Sequence, residues 1–241
     1  ILIRSCSIEV EKFEYANEYD DFYLHKLNII NNCKILGQHQ SNGKQVKLHV
    51  TMFGEYIINN ELQRQFIRIG SPRTKPCQVI IENIHLIPNN FIKAITITPN
   101  CSLTMRNCTF EADCVGVAHY GDELLIDNCT IISRGKCIAI GYHARKVSIR
   151  NSLLICKNAY NSCIEYQNQN SSTERMYNND KQFVQVQCDN NTFVSDQYPF
   201  VMDVAGQKFN YESKIQFNLT QSGNKWYKYE LAQGNYVQGK W

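Results

Sequence analysis

The sequence predicts an all-β protein wound as a right-handed parallel β-helix, a solenoid closed at its N-terminal end by an α-helix. Three observations lead there: short apolar pairs at spacing two, an asparagine at a fixed distance after each pair, and recurrence of the unit along the chain with no helical stretch between copies. The reading divides the chain into residues 1–45 with the capping helix, 46–222 as the β-helix, and 223–241 as an aromatic-rich C-terminal cap or interaction tail.

In chain order, residues 20–37, "DDFYLHKLNIINNCKILG", read as the amphipathic helix. Asp20 or Asp21 can cap its start, Leu24, Leu27, Ile30 and Cys33 follow helical spacing, and Gly37 can end it. A solenoid leaves the apolar interior of its first turn open, and such a helix would cover it. Residues 46–69, "VKLHVTMFGEYIINNELQRQFIRI", supply an opening strand, a Gly54-x-Tyr56 element and a second strand.

The repeats follow. With φ for an apolar residue, φ-x-φ-x-Asn-x-x-φ fits Val79, Ile81, Asn83, Leu86; Leu103, Met105, Asn107, Phe110; Leu124, Ile126, Asn128, Ile131; Val147, Ile149, Asn151, Leu154; and Val186, Cys188, Asn190, Phe193. The asparagines are 24, 21, 23 and 39 residues apart; the last interval is close to two ordinary repeats, although residues 167–182 suggest one long repeat with an insertion. Each repeat carries a second apolar pair: Ala94-Ile95-x-Ile97, Cys114-Val115-x-Val117, Cys137-Ile138-x-Ile140, Cys163-Ile164-x-Tyr166 and Phe200-Val201-x-Asp203.

Strict alternation of side chains would put both apolar residues and the asparagine on the inner face. Asn83, Asn107, Asn128, Asn151 and Asn190 would then form an inward ladder, each amide bonding the turn above. The residue before each asparagine points outward: Glu82, Arg106, Asp127, Arg150, Asp189. Their charges alternate in sign, as a parallel stack with rungs about 4.8 Å apart would favour.

Composition agrees with one soluble, elongated domain: 43% of the 241 residues are hydrophobic and 20% charged. No apolar run approaches the roughly 20 residues needed to cross a bilayer, so no membrane partner is expected. The chain opens on Ile1 without a signal segment, which reads as a processed chain or a piece of a longer one. A net charge of +3 is too mild for nucleic acid, and the basic cluster His143, Arg145, Lys146, Arg150 has no interleaved aromatics.

Eleven cysteines include no C-x-x-C pair, so no metal or other cofactor is expected. Cys114, Cys137 and Cys163 fall at one repeat position, Cys108 and Cys129 at another, as small side chains stacked in a narrow solenoid would. Sequons at Asn107, Asn128 and Asn190 sit on the inward ladder, where no glycan fits; those at Asn100, Asn170 and Asn218 are in more exposed places. This favours a reducing, cytoplasmic compartment.

Helix, strand, G-x-Y, strand and V-x-I-x-N-C-x-F repeats together resemble the right-handed parallel β-helix superfamily with the pectin-lyase-like fold, closest in style to its non-enzymatic and F-box-associated repeat proteins. The resemblance covers about residues 20 to 220 and specifies fold far more than activity. It implies three functions to weigh: a scaffold, a polysaccharide lyase or hydrolase, and a substrate receptor of a ubiquitin ligase. The enzymes' motifs are missing, since "NNTF" lacks a following aspartate and "GDE" stands in place of a double aspartate.

If the chain is an enzyme, its acids are Asp113, Asp122, Glu123 and Asp127, with Glu111 beside them. Asp127, flanked by Arg106 and Arg150, reads more simply as a rung of a salt-bridge ladder. His119 and His143 read as surface histidines on neighbouring turns. Residues 167–182, "QNQNSSTERMYNNDKQ", form a polar inserted loop. The tail's Trp226, Tyr227, Tyr229, Tyr236 and Trp241 either close the last turn or anchor a partner. The function expected is a non-enzymatic scaffold or protein-docking module in a large intracellular complex, with a cytoskeletal or ciliary assembly as its expected home. Its partners are other proteins rather than carbohydrate.

Overall fold

The computed structural model describes residues 2–4, 8–10, 27–29, 31–36, 46–51, 57–58, 61–62, 65–70, 75–89, 93–141, 143–158, 160–167, 182–196, 200–203, 215–230 and 235–238. All regular structure among them is strand. Two strands come first, β1 (Leu2–Arg4) and β2 (Ile8–Val10), followed by β3 (Leu27–Ile29), β4 (Cys33–Leu36) and β5 (Val46–Thr51). A short hairpin, β6 (Ile57–Ile58) and β7 (Glu61–Leu62), precedes β8 (Gln65–Ile69), β9 (Gln78–Glu82) and β10 (Ile84–Asn89). Then come β11 (Lys93–Ile97), β12 (Ser102–Arg106), β13 (Thr109–Ala112), β14 (Val115–His119), β15 (Glu123–Asp127) and β16 (Thr130–Ser133). The series continues with β17 (Ile138–Ile140), β18 (Lys146–Arg150), β19 (Leu153–Cys156), β20 (Ile164–Gln167), β21 (Gln182–Asp189) and β22 (Thr192–Val194). It ends with β23 (Phe200–Asp203), β24 (Ile215–Ser222), β25 (Lys225–Glu230) and β26 (Asn235–Gln238).

From β3 to β25 the chain visits three sheets in fixed rotation. Sheet B takes β3, β8, β11, β14, β17, β20 and β23; sheet A takes β4, β9, β12, β15, β18, β21 and β24; sheet C takes β5, β10, β13, β16, β19, β22 and β25. Each strand pairs in parallel with its counterpart one turn on. The eighth strand of each sheet is an antiparallel addition: β1 on β4, β2 on β3, and β26 on β25. Stacked parallel sheets of this kind are compatible with a β-helix.

Strands β3 and β4 correct the predicted helix. Residues 27–29 and 33–36 lie parallel to β8 and β9, with Cys33 opposite Val79 and Ile35 opposite Ile81. Burial over β4 alternates in the two-residue period of a strand, Cys33 and Ile35 in, Lys34 out. "NNCKILG" is therefore an additional copy of the repeat, with Gly37 where the pattern places asparagine. The remainder of residues 20–37, apart from Asn31 and Asn32, lies outside the described residues, as do Gly54 and Tyr56.

The first apolar pair holds its register throughout: Val79, Leu103, Leu124, Val147 and Val186 form one column, and Ile81, Met105, Ile126, Ile149 and Cys188 the next. In sheet C, Leu86, Phe110, Ile131, Leu154, Phe193 and Trp226 stack in register, none more than 7% exposed. Burying such a side chain contributes about 2 to 3 kcal/mol. Trp226 thus continues the core, and parallel pairing runs beyond residue 222 through β25.

The asparagines stack, but they do not face inward. Asn107, Asn128, Asn151 and Asn190 are exposed and Asn83 is half-exposed; all five have left-handed backbone, φ between 50° and 59°. A left-handed residue breaks the alternation: the asparagine becomes the corner between sheets A and C, its side chain stays outside, and the following residue turns inward. Each corner N–H bonds a carbonyl on the next turn, Asn107 to Asp127 and Asn128 to Arg150 at 3.1 Å, Asn151 to Asp189 at 3.0 Å. The side chains add Asn107 Nδ2 to Asn83 Oδ1 (3.3 Å) and Asn128 Nδ2 to Asn107 Oδ1 (2.8 Å). Gly223, φ 62°, follows Ser222 in the same place on the last turn.

The inward column is one residue later: Ile84, Cys108, Cys129, Ser152, Asn191, Asn224, with its polar ladder starting at Ser152. Asn191 is 1% exposed. Its Oδ1 accepts from Ser152 N (2.9 Å), its Nδ2 donates to Ile149 O (2.8 Å), and its own N–H donates to Asn224 Oδ1 (2.8 Å). Asn191→Ala strands a buried donor and a buried acceptor, so it is expected to lower unfolding free energy by about 2 to 4 kcal/mol in urea titrations. Asn190→Gly next door, where glycine suits the backbone, is expected to change it by less than about 0.5 kcal/mol. Equal effects at the two positions would contradict this assignment.

The second apolar pair shifts in two turns. Ile95 and Ile97 lie opposite Val117 and His119, and Ile164 and Tyr166 opposite Phe200 and Met202. The small residues before the pair are then Ala94, Gly116, Cys137 and Cys163, so Cys114 does not share the Cys137 column. Glycine is required at 116, where an added Cβ would stand 2.5 Å from the Cys137 carbonyl oxygen. His119 accordingly points into the core.

Candidate functional site

The outer face of sheet A carries the charge column in the register expected: Glu82 opposite Arg106, Arg106 opposite Asp127, Asp127 opposite Arg150, Arg150 opposite Asp189. Arg106 reaches Glu82 at 2.9 Å and Arg150 reaches Asp127 at 2.8 Å. The Arg150 hydrogen bond, more than the added Asn151 amide, holds the Asp127 carboxyl below its ordinary value against the opposing effect of burial.

The other acids are engaged in the same way. Asp122 faces Arg145 (3.5 Å), Glu123 faces Lys146 (2.7 Å), Asp113 faces Arg134 (3.7 Å) and Glu111 meets His85 (2.7 Å). The basic cluster and the acidic group are thus one feature: Arg145, Lys146 and Arg150 each stand one turn beyond Asp122, Glu123 and Asp127. The four candidate catalytic acids do not converge on a shared centre; each is matched to its own cation. Among the described residues, no three His, Cys, Asp or Glu side chains lie close enough to hold a metal ion.

The outer face of sheet B is sealed. Its central column contains Thr96, Ala118, Ala139 and Glu165, exposed by 6%, 0%, 4% and 6%. Tyr120 lays its ring against Gly141, where an added Cβ would come within 2.1 Å of it, and its hydroxyl accepts from Lys93 at 3.2 Å. Lys136 and Glu165 form a buried ion pair at 2.5 Å, with Glu165 also accepting from Ser162 N.

His119, expected at the surface, is fully buried between Ile97 and Ile140. Its Nε2 donates to Lys146 O at 3.1 Å, which leaves Nδ1 as a bare, unpartnered acceptor. Burial holds its pKa down to about 4 from the ordinary 6.5, the carbonyl bond opposing. His143 is half-buried, and burial lowers its pKa too. The missed signal for His119 was Gly116, which fixes the column of the residue after it.

The outer face of sheet C differs from both. Ile132, Ile155, Val194 and Tyr227 form an outward column in register, with Ile132, Ile155 and Tyr227 half-exposed and Leu153 beside them. Of the expected interaction residues, Tyr227 continues this column while Trp226 points the other way, into the core. Tyr229 and Tyr236 are paired opposite each other in β25 and β26. Trp241 lies outside the described residues, as do positions 168–181 of the inserted loop.

No protein-family model, curated protein or solved structure matches the chain.

Two outcomes follow. Asp127→Lys would place three cations in one column between turns; the unfolding temperature should fall at low salt, and the loss should shrink at roughly 1 M NaCl, where screening reaches about 3 Å. For His119 the folded pKa lies below the unfolded one, so stability is whole above pH 6.5 and is lost as pH falls toward 4, by about 3 kcal/mol in all. His119→Ile, matching its column neighbours, should flatten that portion of the pH profile in urea titrations.

Proposed function

We propose that the chain is a right-handed parallel β-helix acting as a non-enzymatic docking module in a larger protein assembly, with the outer face of sheet C as its contact surface. The observation that carries this is the outward apolar column Ile132, Ile155, Val194, Tyr227 on a parallel sheet, half-exposed except at Val194, which is buried. Apolar side chains gain most from a partner that removes them from water. Sheet A spends its charges on itself, and sheet B is already covered. Right-handedness follows the general rule for parallel crossovers. The intracellular, cytoskeletal or ciliary setting belongs to this proposal; the nine free thiols favour it, whereas Cys33 is disulfide-bonded.

The sequons at Asn107, Asn128 and Asn190 are exposed, so the fold does not forbid glycans there and they do not argue for the compartment. Mass spectrometry of the protein from its own cells is expected to find these asparagines unmodified; glycans would place the protein in the secretory route instead.

Docking is tested by affinity purification of the endogenous full-length protein beside Ile132→Lys/Ile155→Lys. Both positions face outward, so circular dichroism and unfolding temperature should hold while co-purifying proteins fall at least tenfold. An unchanged set of partners would refute the assigned face. Release of sugar ends from acidic polysaccharide, lost in Asp127→Ala, would refute the non-enzymatic reading. Truncation at residue 223 is uninformative, because it removes the Trp226 rung of the core.

A further inference from the structure

The solenoid stacks three pairs of cysteines on adjacent turns: Cys77 with Cys101, Cys108 with Cys129, and Cys137 with Cys163. In the first pair the Sγ atoms are 3.3 Å apart. Gln78 lies opposite Ser102, so the two cysteines just before them occupy neighbouring rungs, within the Cα separation that a disulfide spans. Cys77 and Cys101 are 2% and 1% exposed, yet the residues directly preceding them, Pro76 and Asn100, are both exposed. The pair therefore lies one layer beneath the corner between sheets B and A.

The two sulfurs are not equivalent. Cys77 donates its thiol hydrogen to Cys101, and the Thr98 hydroxyl lies 3.8 Å from Cys101 Sγ. The hydrogen bond from Cys77 favours the Cys101 thiolate, whereas burial and Asp122 oppose it; the Thr98 hydroxyl donates instead to Ile69 O at 2.8 Å. Gly70, φ 79°, leaves the space these groups occupy: a Cβ there would stand 2.3 Å from Cys101 Sγ and 2.4 Å from Thr98 Oγ1.

We propose that Cys77 and Cys101 are an oxidisable pair that closes to a covalent clip between the second and third turns, with a peroxide as oxidant. The Cys101 thiolate attacks one peroxide oxygen, the O–O bond breaks, and hydroxide leaves, giving a sulfenic acid on Cys101. The Cys77 sulfur then attacks the Cys101 sulfur; the S–O bond breaks, and the departing hydroxide takes the Cys77 proton to become water. Both sulfurs lose one electron and the peroxide gains two. A small oxidant suits a pair that a bulky disulfide reagent cannot approach.

The test uses the reduced full chain, treated with hydrogen peroxide under native conditions and mapped by mass spectrometry. The expected result is a mass loss of about 2 Da beyond that of the Cys33 disulfide, a linked peptide joining Cys77 to Cys101 ahead of any other pair among the nine described free thiols, and reversal by dithiothreitol. The oxidised chain should melt roughly 5 °C or more higher. Cys77→Ser should abolish the link and leave Cys101 oxidised singly. Wild type alone keeps the test decisive should that variant fold poorly: an inert pair, a first link elsewhere, or irreversible oxidation of Cys101 without a link would overturn the proposal.

Discussion

A left-handed residue at the same corner of six successive turns sets the geometry of the stack. At each corner between sheets A and C the backbone reverses its side-chain parity, and the corner N–H crosses to the next turn's carbonyl. Asparagine fills this place on five turns because its short polar side chain tolerates that conformation and can bond its neighbours. Glycine fills it on the last. With the corner fixed, a strand cannot slip by one residue without sending its apolar set to the solvent side.

Everything attached to that corner inherits its stacking. The residue before it becomes an outward column, charged with alternating sign from Glu82 to Asp189. The residue after it becomes an inward column, apolar at Ile84 and small or hydrogen-bonded on the turns that follow. Ser152, Asn191 and Asn224 supply the bonded option toward the C-terminal end, where each side chain caps the backbone N–H of the preceding turn. Among the described residues, sheet A pairs its charges between turns, the outer face of sheet B is buried, and sheet C presents an outward apolar column.

The parallel repeat, its first-strand register and the charge column were legible because a period of two over several stacked copies leaves little freedom. Asparagine orientation was not, since alternation was carried through a residue whose φ no pattern of apolar positions reveals. Leu27 to Leu36 were misread because "LNIINNCKIL" satisfies helical spacing as well as two short strands; the two-residue alternation at Cys33 and Ile35 decides it. His119 was placed two residues out of register, for want of noticing that Gly116 must precede the inward pair. Of the candidate acids, Asp127 is legible as a rung between Arg106 and Arg150, whereas the partners of Asp113, Asp122 and Glu123 depend on the alignment of turns in the stack.

The most direct measurement is nuclear magnetic resonance of scalar coupling across backbone hydrogen bonds in the isotope-labelled chain. The account predicts correlations from the amide nitrogens of Asn107, Asn128 and Asn151 to the carbonyl carbons of Asp127, Arg150 and Asp189 respectively. Coupling of those amides to carbonyls within their own turn, or to none, would contradict it.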